Sequence, residues 1–196
     1  SIVCIQESPA FRHGEYVKKE NIIIAFWEIY REKSINKITI KELMDKAGYH
    51  RSVFYTYFKD IYDLLEQEQE DFFVQIDKFL PYILNCFFLN QEDKHTLQKL
   101  KAFFSMYAPK LYVLLGEHGD MSFQFKLKEK IRKNIYKFFH LDKNDLKAEL
   151  AVEFFINGHL NALLYMYKYK DRLSIEDYLE IVKPVINNIF VLKNRQ

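Results

Sequence analysis

The chain has 196 residues, 49% of them hydrophobic, and a formal net charge of +2. This length is enough for one sizeable core or two modest ones, because domains typically hold roughly 100–150 residues. An all-β chain needs a turn signal about every 8–12 residues, but this sequence has only five glycines and four prolines. The composition therefore excludes a β-rich fold and predicts long helices.

Cysteine content and hydropathy indicate the cellular compartment in which the chain is expected. Cys4 and Cys86 lie far apart and form no C-x-x-C pattern, which disfavours a disulfide framework and a cysteine zinc site. No apolar run approaches the roughly 20 residues of a membrane span, and residues 1–11 lack the basic-then-apolar order of a secretory signal. We therefore expect a cytoplasmic protein with no membrane association, no cofactor and no metal.

The first two predicted helices come from apolar periodicity. The first helix is predicted over residues 16–33 and is expected to end near Ser34. Its apolar side chains recur at a spacing of three and four, typical of one helix face, at Ile22, Ala25, Phe26, Ile29 and Tyr30. Thr39 then offers a hydroxyl N-cap with Glu42 three residues later, the pattern of a capping box. The second helix follows, with its buried stripe at Ile40, Leu43, Met44 and Ala47.

A tight turn and a short third helix come next. Gly48 can adopt the left-handed conformation that ends a helix without steric cost. The third helix is predicted from Arg51 to Tyr57, with Phe54 and Phe58 packed inward and Arg51, Ser52 and Tyr55 pointing elsewhere. Two helices joined by a tight turn form a helix-turn-helix.

The rest of the chain is also predicted to be helical. Asp60 is expected to cap a long fourth helix that Pro81 kinks or ends. Further helical stretches are predicted at about 94–108, 109–116, 122–140, 146–170 and 174–192. The chain contains no internal repeat.

The segment from Ile38 to Asp60 resembles the DNA-binding domain of the TetR family of transcriptional regulators. The resemblance covers about residues 15–65, and the residues in register are Thr39, Ala47, Gly48, Phe54, Tyr55, Tyr57, Phe58 and Lys59. Two positions differ, since Ser34 replaces the glycine that usually closes the first helix and His50 replaces the usual Ser or Thr cap. An imidazole caps a helix less well than a hydroxyl, so we expect a less rigid start to the third helix.

The resemblance implies an all-α fold in two parts. Residues 1–60 are expected to form a three-helix DNA-binding domain with the helix-turn-helix, and residues 61–196 a helical domain for ligand binding and dimerisation. The implied function is that of a one-component regulator, a repressor released from operator DNA by a small apolar or aromatic effector. Its expected partners are double-stranded operator DNA, a second copy of the chain and that effector.

Residues 37–59 carry the expected DNA contacts. They hold five basic residues against two acidic ones, an excess that suits a phosphate backbone. The second helix of such a motif lies in the major groove with its N-terminal residues at base edges. Arg51 is expected to reach a guanine, and the lysines to reach phosphates, while Tyr55 has simple packing as its alternative. The predicted DNA-binding residues are Thr39, Lys41, Lys46, His50, Arg51, Ser52, Tyr55, Tyr57 and Lys59.

The C-terminal part is rich in aromatic residues, which pack in helical cores more often than they line pockets. The resemblance nevertheless implies a cavity between helices, and apolar walls with a few polar groups suit a small-molecule site. The predicted ligand-binding residues are Phe103, Tyr107, Tyr112, Phe125, Phe155, His159 and Tyr165. The last two helices are expected to pair with those of a second subunit, and the predicted interface residues are Phe154, Gly158, Ala162, Tyr178, Val182, Val185, Ile186 and Ile189.

Catalysis has little support in the sequence. There is no G-x-S-x-G, H-E-x-x-H, P-loop or dinucleotide fingerprint. Glu117, His118 and Asp120 are potential metal ligands, but three such residues in a loop are more often simply solvated. Two alternatives stay open: a coregulator of the same fold that acts through a protein partner with weak or no DNA binding, and a helical enzyme or carrier of apolar ligands.

Overall fold

A computed structural model describes the backbone of residues 9–88 and 94–191 and the side chains of residues 14–84 and 94–185. Within these ranges the chain is all-α. A short 3-10 helix spans Ile35–Lys37, and the α-helices are α1 (Pro9–Tyr30), α2 (Ile40–Ala47), α3 (Arg51–Tyr57), α4 (Ile61–Phe88), α5 (Lys94–Leu114), α6 (Met121–Phe138), α7 (Leu146–Lys168) and α8 (Ile175–Val191). Cys4 and the side chain of Cys86 lie outside the described residues.

The chain divides into two compact units, Ser1–Gln69 and Glu70–Gln196. The division falls within α4, whereas the domain boundary predicted from the sequence lies just before α4 begins. Each unit has its own buried apolar residues.

The core of the first unit confirms the predicted stripe of α1. Its fully buried side chains come from four helices, and the largest are Ile22, Phe26, Tyr30, Leu43, Met44, Phe54 and Leu64. The Trp27 indole donates a buried hydrogen bond of 2.9 Å to the Glu68 carboxylate, so this buried acid has a partner. α1 ends at Tyr30, earlier than predicted, because the polar residues Arg31–Ser34 offer no further apolar position to bury.

The second unit packs parts of α4 to α8 around buried aromatic and aliphatic residues such as Phe72, Phe123, Leu127 and Val152. α5 continues through Pro109, where the sequence predicted two separate helices, and α4 continues past Pro81, which was predicted to kink or end it. An internal proline costs roughly 3 kcal/mol. In α5, Tyr107 and Ala108 are buried before the proline and Val113 and Leu114 after it, and this burial offsets the cost.

None of the helices in the described parts of the chain is both long enough and apolar enough to cross a membrane.

Candidate functional site

The turn between α2 and α3 has the predicted geometry. The Thr39 hydroxyl accepts a hydrogen bond of 3.2 Å from the Glu42 amide at the start of α2. Gly48 ends that helix in the left-handed conformation, with φ 78° and ψ 28°. His50 caps α3, because its Nδ1 accepts from the Ser52 amide at 3.4 Å. These caps fix the angle at which α3 leaves the turn.

Gly48 provides a direct test of this turn. A Cβ at Gly48 would meet no atom within 4 Å, so Gly48→Ala adds no clash and costs only the left-handed backbone penalty of about 1–2 kcal/mol. Gly14→Ala is the matched control, since Gly14 lies within α1 with equally open space and should gain about 0.5–1 kcal/mol. Chemical denaturation measures both changes. Two shifts of the same sign would contradict the conformational role of Gly48.

The two faces of α3 differ as the sequence predicts. Phe54 and Phe58 are buried, at 0% and 2% exposure, and their ring centroids lie 5.4 Å apart. Arg51, Ser52 and Tyr55 are exposed. The helix therefore holds one face in the core and presents the other to solvent.

Arg51 and Tyr55 form a pair on the exposed face of α3. They lie one turn apart, and the Arg51 guanidinium donates a hydrogen bond of 2.9 Å to the Tyr55 hydroxyl. The guanidinium carbon also lies 5.7 Å from the Tyr55 ring centroid. This contact restrains a long side chain before any ligand arrives, which lowers the entropy lost on binding.

Two further predicted DNA-binding residues have partners on α1. The Tyr57 hydroxyl donates a hydrogen bond of 3.0 Å to the Glu15 carbonyl of α1, so Tyr57 ties the end of α3 to the core rather than pointing outward. Lys46 forms an ion pair of 3.0 Å with Glu28. Lys41 and Lys59 are exposed, and Tyr49, which the sequence did not single out, accepts a hydrogen bond of 2.8 Å from Asn21.

The second unit contains an apolar cavity of about 90 Å³. Side chains from α4 to α8 line it, including four of the predicted ligand-binding residues: Phe103, Tyr107, Phe155 and His159. The other three lie elsewhere. Phe125 and Tyr165 are 67% and 60% exposed, and Tyr112 packs against Tyr167 with ring centroids 5.2 Å apart. Sequence reasoning missed the aliphatic wall, which includes Ile76, Leu84, Leu100, Leu127, Ile131, Leu160 and Leu163.

His159 and Tyr178 form the main polar feature of this cavity. They are hydrogen-bonded to each other between α7 and α8. Burial lowers the pKa of His159 from 6.5 to about 4 and raises the pKa of Tyr178 well above its usual value. Both side chains are therefore neutral near pH 7, and the pair offers dipoles rather than charge to a ligand.

The depressed pKa of His159 predicts a stability change with pH. Between pH 6.5 and about 4 the unfolded chain protonates this histidine while the folded chain does not, so acid favours unfolding. The free energy of unfolding should fall by about 2–3 kcal/mol from pH 7 to pH 4.5 on this account. His159→Gln should lose that part of the pH dependence, whereas His95→Gln, at an exposed position, should retain it. Urea titrations at both pH values measure the difference, and equal pH dependence in wild type and His159→Gln would contradict the assignment.

Exposed apolar side chains form a line on α7. Leu146, Leu150, Phe154 and Gly158 follow one another at intervals of four residues, and the three side chains are 76%, 71% and 65% exposed. On α8, Ile181 and Val185 are also exposed and four residues apart. We refer to these six residues as the α7–α8 apolar face. Groups of exposed apolar side chains are typical of surfaces that bind a partner.

The predicted interface residues divide into four groups. Phe154, Gly158 and Val185 belong to the α7–α8 apolar face, and Ala162 and Val182 are half-buried. Tyr178 is only 5% exposed and lines the cavity instead. The side chains of Ile186 and Ile189 lie outside the described residues. The sequence also missed Leu146, Leu150 and Ile181.

Metal ligation has no support among the described residues, which contain no group of three or more His, Cys, Asp or Glu side chains able to hold an ion. Of the three potential ligands in the α5–α6 loop, Asp120 has a structural role. Its carboxylate accepts hydrogen bonds from the amides of Ser122 and Phe123 and so caps α6.

Comparisons with known proteins identify the fold. No protein-family model matches the sequence, and neither does any curated protein. Among solved structures, a TetR transcriptional regulator from Streptococcus agalactiae is similar, with a TM-score of 0.54 and 18% sequence identity over 89% of this chain and 96% of that chain. The chain therefore has the TetR fold, and the fold class predicted from the sequence is confirmed.

Proposed function

We propose that the chain is a transcriptional regulator that binds operator DNA as a homodimer. The observation that carries the proposal is the division of α3 into a buried face, anchored by Phe54, and an exposed face with Arg51 and Ser52 in its first turn. A helix held in this way can enter the major groove, where residues near its N-terminus reach base edges. The left-handed Gly48 and the contact of Tyr57 with α1 support a rigid presentation of that helix.

The remaining DNA contacts in this proposal are made to phosphates. Lys41 and Lys59, which precede and follow α3 in the chain, are exposed cations, and the Thr39 hydroxyl is also exposed. Lys46 contributes less, because it must exchange its ion pair with Glu28 for a phosphate. Tyr57 is not a DNA contact in this proposal, since its hydroxyl is already used within the fold.

Homodimer formation is proposed to use the α7–α8 apolar face. In a two-fold interface each contact occurs twice, so the same short line of apolar residues is buried on both subunits. A two-fold dimer also matches a palindromic operator, and its recognition helices should lie about 34–36 Å apart when bound.

In the proposed regulatory step, the chain acts as a repressor and leaves its operator when an effector enters the cavity. The ligand must bind the operator-free conformation better than the operator-bound one, because equal affinity shifts nothing. The apolar cavity and the neutral His159–Tyr178 pair in its wall support an uncharged or mostly apolar ligand inside the cavity.

The DNA-binding part is tested by selecting sites from a randomised double-stranded library and titrating the best one at several salt concentrations. We expect nanomolar-range binding, typical of specific complexes, with an affinity that falls as salt rises. No selected sequence and no salt-dependent binding would contradict the proposal. A stable complex with a second regulator in the absence of DNA would instead favour the coregulator alternative.

A further inference from the structure

The apolar cavity is long and narrow. Its lining on α4 extends from Phe72 to Leu84, which is about 18 Å along a helix axis. Yet its volume is only about 90 Å³, less than an apolar cavity of about 150 Å³ that holds benzene. A smaller apolar space of about 10 Å³ continues it past Leu115 and Leu164. The extended lining suits a flexible alkyl chain better than a ring, but a volume below that of a benzene site admits only the end of a chain until the lining side chains move apart.

The cavity is unsuited to a charged head group. Among its described lining residues none is Asp, Glu, Lys or Arg, and the polar side chains are Tyr107, His159 and Tyr178. A charge without a partner in such surroundings is costly. A ligand with an ionic group must therefore keep that group outside the cavity.

A second, more polar space adjoins the first. This groove has a volume of about 410 Å³ and is lined by residues of α5, α7, α8 and the α7–α8 loop. Phe104, Ala108 and Ile175 line both spaces, so they form the wall between them. Phe104 and Ile175 are half-buried, so neither is held by surrounding side chains on all sides.

The groove carries more positive than negative charge. Its described charged residues are Lys101, Lys170 and Glu176, two ammonium groups against one carboxylate. Lys101 is ion-paired with Glu176. Lys170 is exposed, and its ammonium lies 5.2 Å from the ring centroid of Tyr167. An anion in the groove gains Lys170 as a counter-ion.

We propose that the second unit binds a single-chain anionic amphiphile, with its alkyl tail in the apolar cavity and its head group beside Lys170 in the groove. The proposal rests on the proposed function, since it names the chemical class of the effector. Its distinguishing feature is the shared wall at Phe104, Ala108 and Ile175, which places an apolar channel and a cationic groove within reach of one molecule.

The test is calorimetric titration of the full chain with hexanoate, octanoate, decanoate and dodecanoate, each below its micellar concentration. Burial of each added methylene should tighten binding about fourfold until the cavity is filled, after which affinity should level off. The series needs no variant, so it does not depend on any substitution folding. Binding that is independent of chain length, or no binding at all, would overturn the proposal.

The head-group position is tested with Lys170→Glu. This change should weaken decanoate binding at least tenfold and leave 1-decanol binding within about twofold, since the alcohol carries no charge. The matched control is Lys168→Glu, which makes the same charge change two residues earlier, at the exposed last position of α7 outside the groove lining. Equal losses in both variants, or an equal loss for decanol, would overturn the assignment of the head group to Lys170.

Operator binding is measured separately on the same samples, so the two proposals can fail separately. If decanoate binds as expected but leaves DNA affinity unchanged, the ligand class holds and the effector step of the proposed function fails. If the chain binds its operator but no carboxylate of the series, the ligand class fails and the DNA-binding function stands.

Discussion

Replacing Arg51 by alanine is expected to remove base discrimination at one position in each half-site of the operator. Arg51 lies in the exposed first turn of α3, and a guanidinium that donates two hydrogen bonds to guanine contributes about 1–3 kcal/mol of discrimination. The hydrogen bond to Tyr55 holds the side chain near the surface of its own helix. Affinity for the best operator should fall, and the four bases at that position should become nearly equivalent.

Two further variants separate the geometry of Arg51 from its charge. Arg51→Lys keeps the positive charge but loses the planar fork, so it should lose the base preference while recovering part of the overall affinity. Lys59→Ala should weaken all sequences alike and reduce the salt slope by about one unit for each subunit of the dimer. Binding assays across single-base operator variants provide the measurement. If Arg51→Ala keeps the wild-type preference at every position, Arg51 contacts only the backbone or solvent.

Placing a charge on the α7–α8 apolar face is expected to separate the proposed dimer. Phe154 is 65% exposed in the single chain, and a two-fold interface buries two copies of it. Losing the burial of two phenylalanines costs about 3–6 kcal/mol, so Phe154→Asp should raise the dimer dissociation constant by roughly two to four orders of magnitude. The introduced carboxylates add a further cost, because they enter the interface unpaired.

Sedimentation velocity over a range of concentrations measures this effect. Met106→Asp is the matched control, since Met106 is similarly exposed, at 63%, but lies on α5. It should leave the dimer intact. The Phe154→Asp monomer should also bind its operator more weakly, because it reaches one half-site at a time. A wild-type chain that is monomeric at micromolar concentration, or a Phe154→Asp chain that dimerises normally, would exclude this face as the interface.

The cavity and the apolar face limit what periodicity can predict. The sequence assigned Phe154 to the interface and Phe155 to the cavity, and in the structure Phe154 is exposed whereas Phe155 lies in the cavity wall. Neighbouring residues on a helix point about 100° apart, so a stripe wide enough to hold both serves two surfaces. By contrast, Phe125 and Tyr165 were predicted to line the cavity, and both are exposed.

What the sequence determined by itself is local. Several features depend only on residues within one helical turn of each other. They are the caps at Thr39, Gly48 and His50, the inward position of Phe54 and the exposure of Arg51. Hydrogen-bond geometry and helical spacing act over that range, so residue type and position suffice to predict them. The motif between residues 38 and 60 then suggested the fold.

The tertiary structure alone decided the features that join distant parts of the chain. Three examples are the hydrogen bond from the Tyr57 hydroxyl to the Glu15 carbonyl, the ion pair of Lys46 with Glu28 and the continuation of α5 through Pro109. Each depends on neighbours that no local pattern specifies. The cavity likewise exists only because five helices leave a narrow gap that their side chains do not fill. Packing of separate elements overrides local preference, since the burial gained between helices exceeds the cost of a single unfavourable residue.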